Sequence, residues 1–493
     1  MFTRKISILH IADLHKKTGD SFDNLLSSIE EDCESYITKG VAKPNVIVVS
    51  GDLIRGGTPE DIKKQYQESK DFLEKLTNYF LNGDKSRIII VPGNHDVDWN
   101  MSSSAMESYP MPTTCLTATM SDEEGKDKYK KYENDRIEYN KTKELFLKGE
   151  LKDYRWDWKR QELVKISKID EYNKRFEQFS TFYHDFYGDD YPLDPKLQVK
   201  IFDLPEEGVC FVGFNSCFQN DHLNKSGMIN PLCVVEAKRQ LKELPNRERL
   251  LIGVWHHNVK GLPHVNNYLD YQILSSLLGM DMKLALHGHQ HYSGVVEEYK
   301  DVYDEQERML LFSTGSLYGS ANLLAYGTPR QYNIIELEKK GSKLNVTVHL
   351  RQDNNTEEYD IPSWGEGIIK GVSKSHWNTS VILPPSQDMH VLLNKIVEEG
   401  MKSGDYATAV SKLQELDTSL PEVRGFIISF MKKGKDYMGI VETIKIPASP
   451  GEAITLIEAA IELKDPVVKR AIKEIKEIKE STDPAVIQYR AHL

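Results

Sequence analysis

Three short runs near the amino terminus are apolar from end to end: Lys5–Ala12, Asn45–Ser50 (NVIVVS) and Arg87–Val91 (RIIIV). A strand with one wet face alternates in polarity, whereas one buried on both faces does not. Between these runs lie two stretches with helical spacing. Phe22–Lys39 places Leu25, Leu26, Ile29 and Ile37 on one stripe, and Glu60–Leu81 does the same with Phe72, Leu73, Leu76 and Phe80. Buried strands separated by helices predict an α/β fold whose sheet is covered on both sides.

The pattern changes after residue 100. The span from Met101 to about Gln198 is highly charged, rich in Tyr, Phe and Trp, and reads as a mostly helical insertion. Strand-like segments resume at Lys200–Asp203, Val209–Phe214, Leu250–Trp255, Lys283–Leu286, Met309–Phe312, Gln331–Leu337 and Leu344–Leu350. Residues 363–387 hold Gly, Pro, Ser and Trp with little periodicity and read as a linker. From 388 to 493 only short amphipathic helical segments remain, broken by Gly, Pro or Asp, as in stacked helical hairpins. The expected division is a domain at 1–362 carrying the insertion, the linker, and a helical interaction domain at 388–493.

Five motifs stand at the carboxyl ends of predicted strands: Asp13-Leu14-His15, Gly51-Asp52, Gly93-Asn94-His95-Asp96, His256-His257 and Gly288-His289-Gln290-His291. In sheets covered by helices that edge is where ligands bind, so motifs far apart in sequence converge there. Residues i and i+2 of a strand share a face, which aims Asp13 and His15 at one point. Imidazole and carboxylate donors together suit Mn, Fe, Zn or Ni; a carboxylate bridges two ions and an Asn carbonyl adds a neutral ligand. Gly51, Gly93 and Gly288 permit close backbone approach.

In that order, D-x-H, G-D, G-N-H-D, H and G-H-x-H, the chain resembles the calcineurin-like metallophosphoesterase superfamily over residues 1–350, less the insertion. The resemblance implies a four-layer α-β-β-α sandwich of two mixed sheets. It implies two divalent metal ions, Mn2+ foremost, with Fe, Zn or Ni as alternatives. Asp13, His15 and His291 would hold one ion, Asn94, His256 and His289 the other, and Asp52 would bridge them. A hydroxide shared by both ions would attack phosphorus in line. His95 would protonate the leaving oxygen and Asp96 would orient His95.

Several neighbours keep two readings. His257 competes with His256 for the ligand position. His10 reads as structural or catalytic, the first favoured, and His287 as a residue that backs the ligands or sits in the core. Asp98 and Trp99 either line the site or cap the insertion. The run Tyr154–Arg160 (YRWDWKR) either stacks on bases or forms the insertion's own core.

The substrate follows from departures. The Ser/Thr phosphatase branch carries a pattern resembling G-D-x-x-D-R-G, and here GDLIRGG places Arg55 where the acid would stand. Purple acid phosphatases use a Tyr shortly after G-D, and none is close by. The remaining motifs are nearer to the cyclic-nucleotide phosphodiesterase and double-strand-break-repair nuclease branches. The expectation is therefore hydrolysis of phosphodiesters in nucleotides or nucleic acid. The alternatives are a phosphomonoesterase acting on a metabolite or phosphoprotein, and an effector or scaffold docked on a protein partner through the C-terminal helices.

Charge and cysteine content set the remaining bounds. A net charge of −12 disfavours nonspecific binding to nucleic acid or anionic membrane. Five cysteines with no C-x-x-C pair fit a reducing cytoplasm, and no run reaches the ~20 apolar residues of a membrane span.

Overall fold

The structure, a computed structural model, describes residues 5–16, 22–113, 123–245, 249–260, 267–299, 308–320, 322–324, 327–340, 343–355, 362–369, 372, 374–383, 387–418 and 420–493. It divides into two compact units, residues 1–339 with 345–381, and 382–493 with 340–344.

The first unit is built on two mixed sheets. One contains β1 (Ile6–Ile11), β2 (Val46–Val49) and β3 (Ile88–Ile90), all parallel and buried along their length, in keeping with their mostly apolar sequences. β13 (Gln331–Lys340) lies antiparallel to β1, and β14 (Lys343–Asp353) and β15 (Trp364–Glu366) continue the sheet in the order β15-β14-β13-β1-β2-β3. The second sheet runs in the order β11 (Gly294–Tyr299), β12 (Arg308–Ser313), β10 (Leu284–His287), β9 (Leu250–Val254), β8 (Val209–Phe214), β7 (Val199–Leu204). Its four central strands are parallel and both edge strands antiparallel.

Alternation within the strands sets the layers. Leu9, Ile11, Ile47, Val49, Ile88 and Ile90 form one core with α1 (Asp23–Thr38) and α2 (Pro59–Leu81). Cys210, Val212, Phe214 and Ala285 form another with α7 (Pro231–Glu243) and α8 (Tyr271–Leu278). The remaining strand faces are buried between the sheets, so tightly that a Cβ at Gly213 would stand 3.0 Å from Val91 Cγ1. This is the four-layer sandwich expected from the sequence.

Two expectations need correction. The insertion is mostly helical, as expected, but it also holds strands that the sequence reading did not foresee. Beside α3 (Trp99–Ser104), α4 (Glu123–Leu147), α5 (Ile169–Asn173) and α6 (Glu177–Tyr187), it forms a small antiparallel sheet of β4 (Met106–Tyr109), β6 (Glu162–Ile166) and β5 (Tyr154–Asp157). These strands are too short and too charged to show alternation. The span read as a linker at 363–387 contains β15 and β16 (His376–Ile382), both paired with β14. They add edges to a sheet whose long strand β14 lacked partners in the sequence reading.

Buried ion pairs tie the elements together. Asp32 of α1 accepts from Tyr332 of β13 and from Arg351 of β14, whose Nε lies 2.8 Å away. Within the insertion, Arg155 Nε donates to Asp221 at 2.7 Å, and Arg175 donates to the carbonyls of Tyr172, Phe218 and Asn220. Those contacts fasten the insertion to the loop that follows β8. Cys33, Cys210, Cys217 and Cys233 are buried free thiols, and Cys115 lies outside the described residues.

The second unit is helical: α9 (Gln387–Ser403), α10 (Tyr406–Gln414), α11 (Pro421–Gly434), α12 (Tyr437–Thr443), α13 (Pro450–Leu463), α14 (Pro466–Lys473), α15 (Lys476–Lys479) and α16 (Pro484–Arg490). Asp405, Asp436, Asp465 and Asp483 each cap the helix that follows through a side-chain oxygen, which explains the regular Asp breaks in the sequence. A Cβ at Gly400 would stand 2.7 Å from that of Ala409, so glycine sets the close approach of α9 and α10. No helix among the described residues is long and apolar enough to cross a membrane.

Removing one member of a buried charge pair strands the other. Arg351→Ala should therefore lower unfolding stability by about 3–5 kcal/mol, with Asp32 left to Tyr332 alone. Lys402→Ala, which breaks an exposed i,i+4 pair with Glu398, should change it by less than about 0.5 kcal/mol. Denaturant unfolding of the two variants checks this.

Candidate metal centre

The five motifs meet at the carboxyl ends of β1, β2, β3, β9 and β10. The backbone there is unusual. Asp13, His15, Asp52, His289 and His291 all have left-handed φ, at 53°, 45°, 57°, 71° and 57°. Such a conformation costs a non-glycine residue roughly 1–2 kcal/mol, and five of the predicted ligands adopt it. The shared-face argument for Asp13 and His15 therefore needs amending. β1 ends at Ile11, and the two side chains converge because each lies on a left-handed turn beyond the strand. Backbone bonds hold the turns: Asp13 N donates to the Gly51 carbonyl at 3.0 Å and His15 N to that of Asp52 at 3.1 Å.

The side chains form two groups joined by Asp52. In the first, His15 Nε2 and His291 Nε2 stand 3.0 Å apart. Asp13 Oδ1 lies 3.3 Å from His291 Nε2 and 3.8 Å from His15 Nε2. In the second, His256 Nε2 is 3.0 Å from Asn94 Oδ1 and 3.1 Å from His289 Nδ1, which is itself 2.8 Å from Asn94 Oδ1. Asp52 Oδ2 is 3.4 Å from His256 Nε2 and 3.9 Å from His15 Nε2, between the groups.

These donors fit cations. Asp13 Oδ1 is fully buried with no hydrogen-bond partner. Two imidazole nitrogens 3.0 Å apart repel unless a proton or a cation lies between them, and first-row divalent ions bind imidazole and carboxylate at about 2.0–2.2 Å, which gives ligand–ligand separations of this size. Among the described residues, Asp13–His15–His291, His15–Asp52–His95 and Asp13–Asp52–His256 are the groups able to hold an ion.

Carbonyls outside the motifs fix the ring orientations. His256 Nδ1 donates to Ser50 O at 2.9 Å and His291 Nδ1 to Leu323 O at 2.6 Å, which leaves each Nε2 facing the cluster. Ser216 Oγ accepts from the backbone N–H of both His256 and His257 and lies 2.9 Å from His257 Nδ1. His257 thus has its Nδ1 engaged by Ser216 while its ring packs on His289 with centroids 4.6 Å apart, and His256 is the member of the pair whose Nε2 meets Asn94 and His289. His10 and His287 are buried behind the ligands, and burial pushes them down to about 3 and about 4. Asp98 caps α3.

Two sequence expectations part here. His95 lies beside His15, with ring centroids 4.7 Å apart, but Asp96 does not orient it. His95 Nδ1 meets the backbone carbonyl of Arg55 at 3.0 Å. Asp96 is buried and faces the other way. It accepts from the N–H of Gly93 at 2.8 Å, Asp52 at 3.0 Å and Leu53 at 3.3 Å, and from Tyr66 Oη at 3.1 Å. Asp96 shapes the G-D and G-N-H-D turns rather than assisting the imidazole. Carbonyl partners leave no trace in sequence, which is why Arg55, Ser50 and Leu323 were missed. Tyr66 was hidden in the stripe of α2.

Burial and charge set the protonation of the cluster. Burial opposes charge on His256, yet the Asp52 carboxylate beside it holds the imidazole up at about 9. Burial, reinforced by neighbouring imidazoles, brings His15 down to about 3 and His289 well below the usual range, so both are neutral. Despite burial, the neighbouring imidazoles hold Asp52 well below the ordinary carboxylate range.

The arrangement is that of a dinuclear metal centre at the mouth of a two-sheet sandwich. The family model for calcineurin-like phosphoesterase matches residues 6–293, more than half of the chain, and the protein belongs to that family. It is accordingly a metal-dependent phosphoesterase with a binuclear divalent centre. Among solved structures the chain is similar to "GAP50 the anchor in the inner membrane complex of Plasmodium", at 11% identity over 78% of this chain and 91% of that one, with a TM-score of 0.37. It is also similar to a dimetal phosphatase from Danio rerio, at 10% identity over 77% and 99% with a TM-score of 0.32, and to PhoD, at 8% over 78% and 73% with a TM-score of 0.39. No curated protein matches the chain.

Two outcomes follow. A Cβ at Gly93 would stand 2.1 Å from Asp52 Oδ1 and 2.3 Å from the Asp52 nitrogen, so Gly93→Ala should abolish stoichiometric metal retention, read by elemental analysis of the purified protein. Because His256 carries a proton below about 9 without an ion, uptake at neutral pH must displace it. Apparent Mn2+ affinity should rise with pH toward that value, and calorimetry in two buffers of different ionisation enthalpy should read release of about one proton.

Proposed function

We propose that the protein hydrolyses phosphodiesters in nucleotides or nucleic acid, with Asp13, His15 and His291 holding one ion, Asn94, His256 and His289 the other, and Asp52 shared. One observation carries the diester reading. The floor of the cluster is closed and its mouth is open: Asp13, Asp52 and His256 are buried, whereas Asn94, His95, His289 and His291 are only half-buried. A phosphate can reach such a site without its two ester arms being enclosed.

Two divalent ions at these ligands would lower the pKa of a shared water and neutralise charge that develops on the phosphate oxygens. The chain's own residues do the rest. His95 presents Nε2 at the open side, with Nδ1 tied to Arg55 O, and gives its proton to the leaving oxygen. Asp52 Oδ1 accepts from the backbone N–H of His95 at 2.8 Å, which locks the imidazole's position to the shared ligand. Gly93 and Gly51 let the two turns approach closely enough for that bond.

The proposal includes a protein partner on the helical unit. Val391, Ile446 and Val467 are exposed there at 69%, 65% and 75%, three apolar side chains that the unit's own core does not use.

Turnover of bis-p-nitrophenyl phosphate against p-nitrophenyl phosphate with Mn2+ tests the reaction. The diester should be the better substrate, and His95→Ala should cut kcat by about 10²–10⁴ with metal content unchanged. Activity confined to the monoester would sink the proposal.

A further inference from the structure

A cavity of about 1130 Å3 opens between the end of α4, strand β5 with the turn after it, and the loop at 219–225. Its chemistry differs from that of the chain around it. The protein as a whole has 75 acidic residues against 63 basic. The cavity wall carries Lys143, Lys152, Arg155, Lys159 and Lys225 against one acid, Asp157. Arg155 is neutralised by buried Asp221, which leaves four lysines at the cavity.

Aromatic rings stand among these cations. Trp158 is 81% exposed, an unusual state for the largest apolar side chain. Trp156 lies 6.2 Å from it at 76°, so the two rings present different faces. Lys143 Nζ sits 4.9 Å over Trp156 and Lys225 Nζ 5.8 Å over Trp99. Arg155 is buried and Tyr154 packs against Tyr109, so part of Tyr154–Arg160 belongs to the insertion's core, whereas Trp158 stands on its solvated face.

Helix α3 lies between the cavity and the metal centre and touches the surroundings of both. His222, in the cavity wall, lies 3.5 Å from Ser102 Oγ. Trp99, at the start of the same helix, stands three residues beyond Asp96, and Asn100 Nδ2 donates to Gly57 O in the loop that carries Arg55. The wall is also firmly held, because Arg155 and Arg175 bind the 218–221 loop from behind.

We infer that this cavity is a binding groove for single-stranded nucleic acid, whose bases stack on Trp158 and Trp156 and whose phosphates lie along Lys143, Lys152, Lys159 and Lys225. Exposed rings interleaved with lysines match an unpaired strand, since every base has a face to stack and every linkage a charge to neutralise. A duplex keeps its bases inside and can use only the lysines. The inference rests on the phosphodiester reading for its catalytic meaning: the groove would deliver an oligonucleotide along α3 to the ions.

The test uses the full chain loaded with Mn2+ and a fluorescein-labelled, phosphorothioate-linked oligothymidylate of about 12 nucleotides, within the usual site size of such grooves. Anisotropy should show binding that weakens with salt, as neutralised phosphates require. Trp158→Ala should weaken it about tenfold, within the range of one lost stacking contact, and Trp158→Phe should restore most of it. Unchanged affinity in Trp158→Ala, or tighter binding of a duplex of equal length, overturns the groove. Bis-p-nitrophenyl phosphate, too small to span the groove, reports the reaction separately in the wild-type protein. Oligonucleotide binding lost in Trp158→Ala without any diester turnover overturns the diesterase reading and supports the groove. Diester turnover with binding indifferent to Trp158 does the reverse.

Discussion

The first unit is organised around two carboxylates that water cannot reach. Asp13 and Asp52 are both essentially inaccessible, and they approach within 4.8 Å of each other and of His256. At an effective dielectric of 20, two like charges at that distance repel by about 3–4 kcal/mol, and each has also lost its hydration. A fold can hold such a pair only with compensating positive charge. The protonated His256 supplies part of it, and divalent ions supply the rest. The left-handed turns at Asp13, His15, Asp52, His289 and His291 add strain in the same place. Two stacked sheets of apolar strands are what make this tolerable, because they fix the strand ends while contributing no polar groups of their own to the cluster.

Much of this was legible in the sequence because it is local. A ligand motif is a handful of adjacent residues, and an apolar run with Gly, Asp or His at its end states both the strand and its edge. Non-local features were not legible. Arg55 holds His95 through a carbonyl that any residue would provide. Asp96 sits where a carboxylate partner for His95 is expected, but the same acid is drawn to three backbone N–H groups and Tyr66. The strands β15 and β16 are recognisable only through their partner β14, and those of the insertion are four or five residues long within a charged stretch. For His95 and, apart from Gly93, for Asp96, the deciding partners lie 30 or more residues away in the chain.

Asp96 illustrates how one residue type can serve two purposes at one position. Its burial and the nearby Asp52 charge push it up to about 7, against the pull of the backbone bonds from Gly93 and Leu53. A carboxylate in that position joins the G-D turn to the G-N-H-D turn, so the bridging ligand and the His95 backbone move as one body. The placement of Asp52 and His95 then depends on Asp96 without Asp96 touching the imidazole.

The consequence for His95 lies in which nitrogen is free. A ring that donates Nδ1–H to a carbonyl keeps that bond whether Nε2 carries a proton or not, because the carbonyl only accepts. A buried carboxylate partner would instead bind the charged imidazole more strongly than the neutral one, and would resist release of the proton from Nε2. In the proposed reaction Arg55 O would hold the direction of the ring through both halves of a proton transfer while leaving Nε2 to the substrate. The substitution that removes an acid from the loop after Gly51-Asp52 changes no ligand. Among the described residues the backbone of that loop meets the imidazole at Nδ1, while Asp52 holds the His95 backbone.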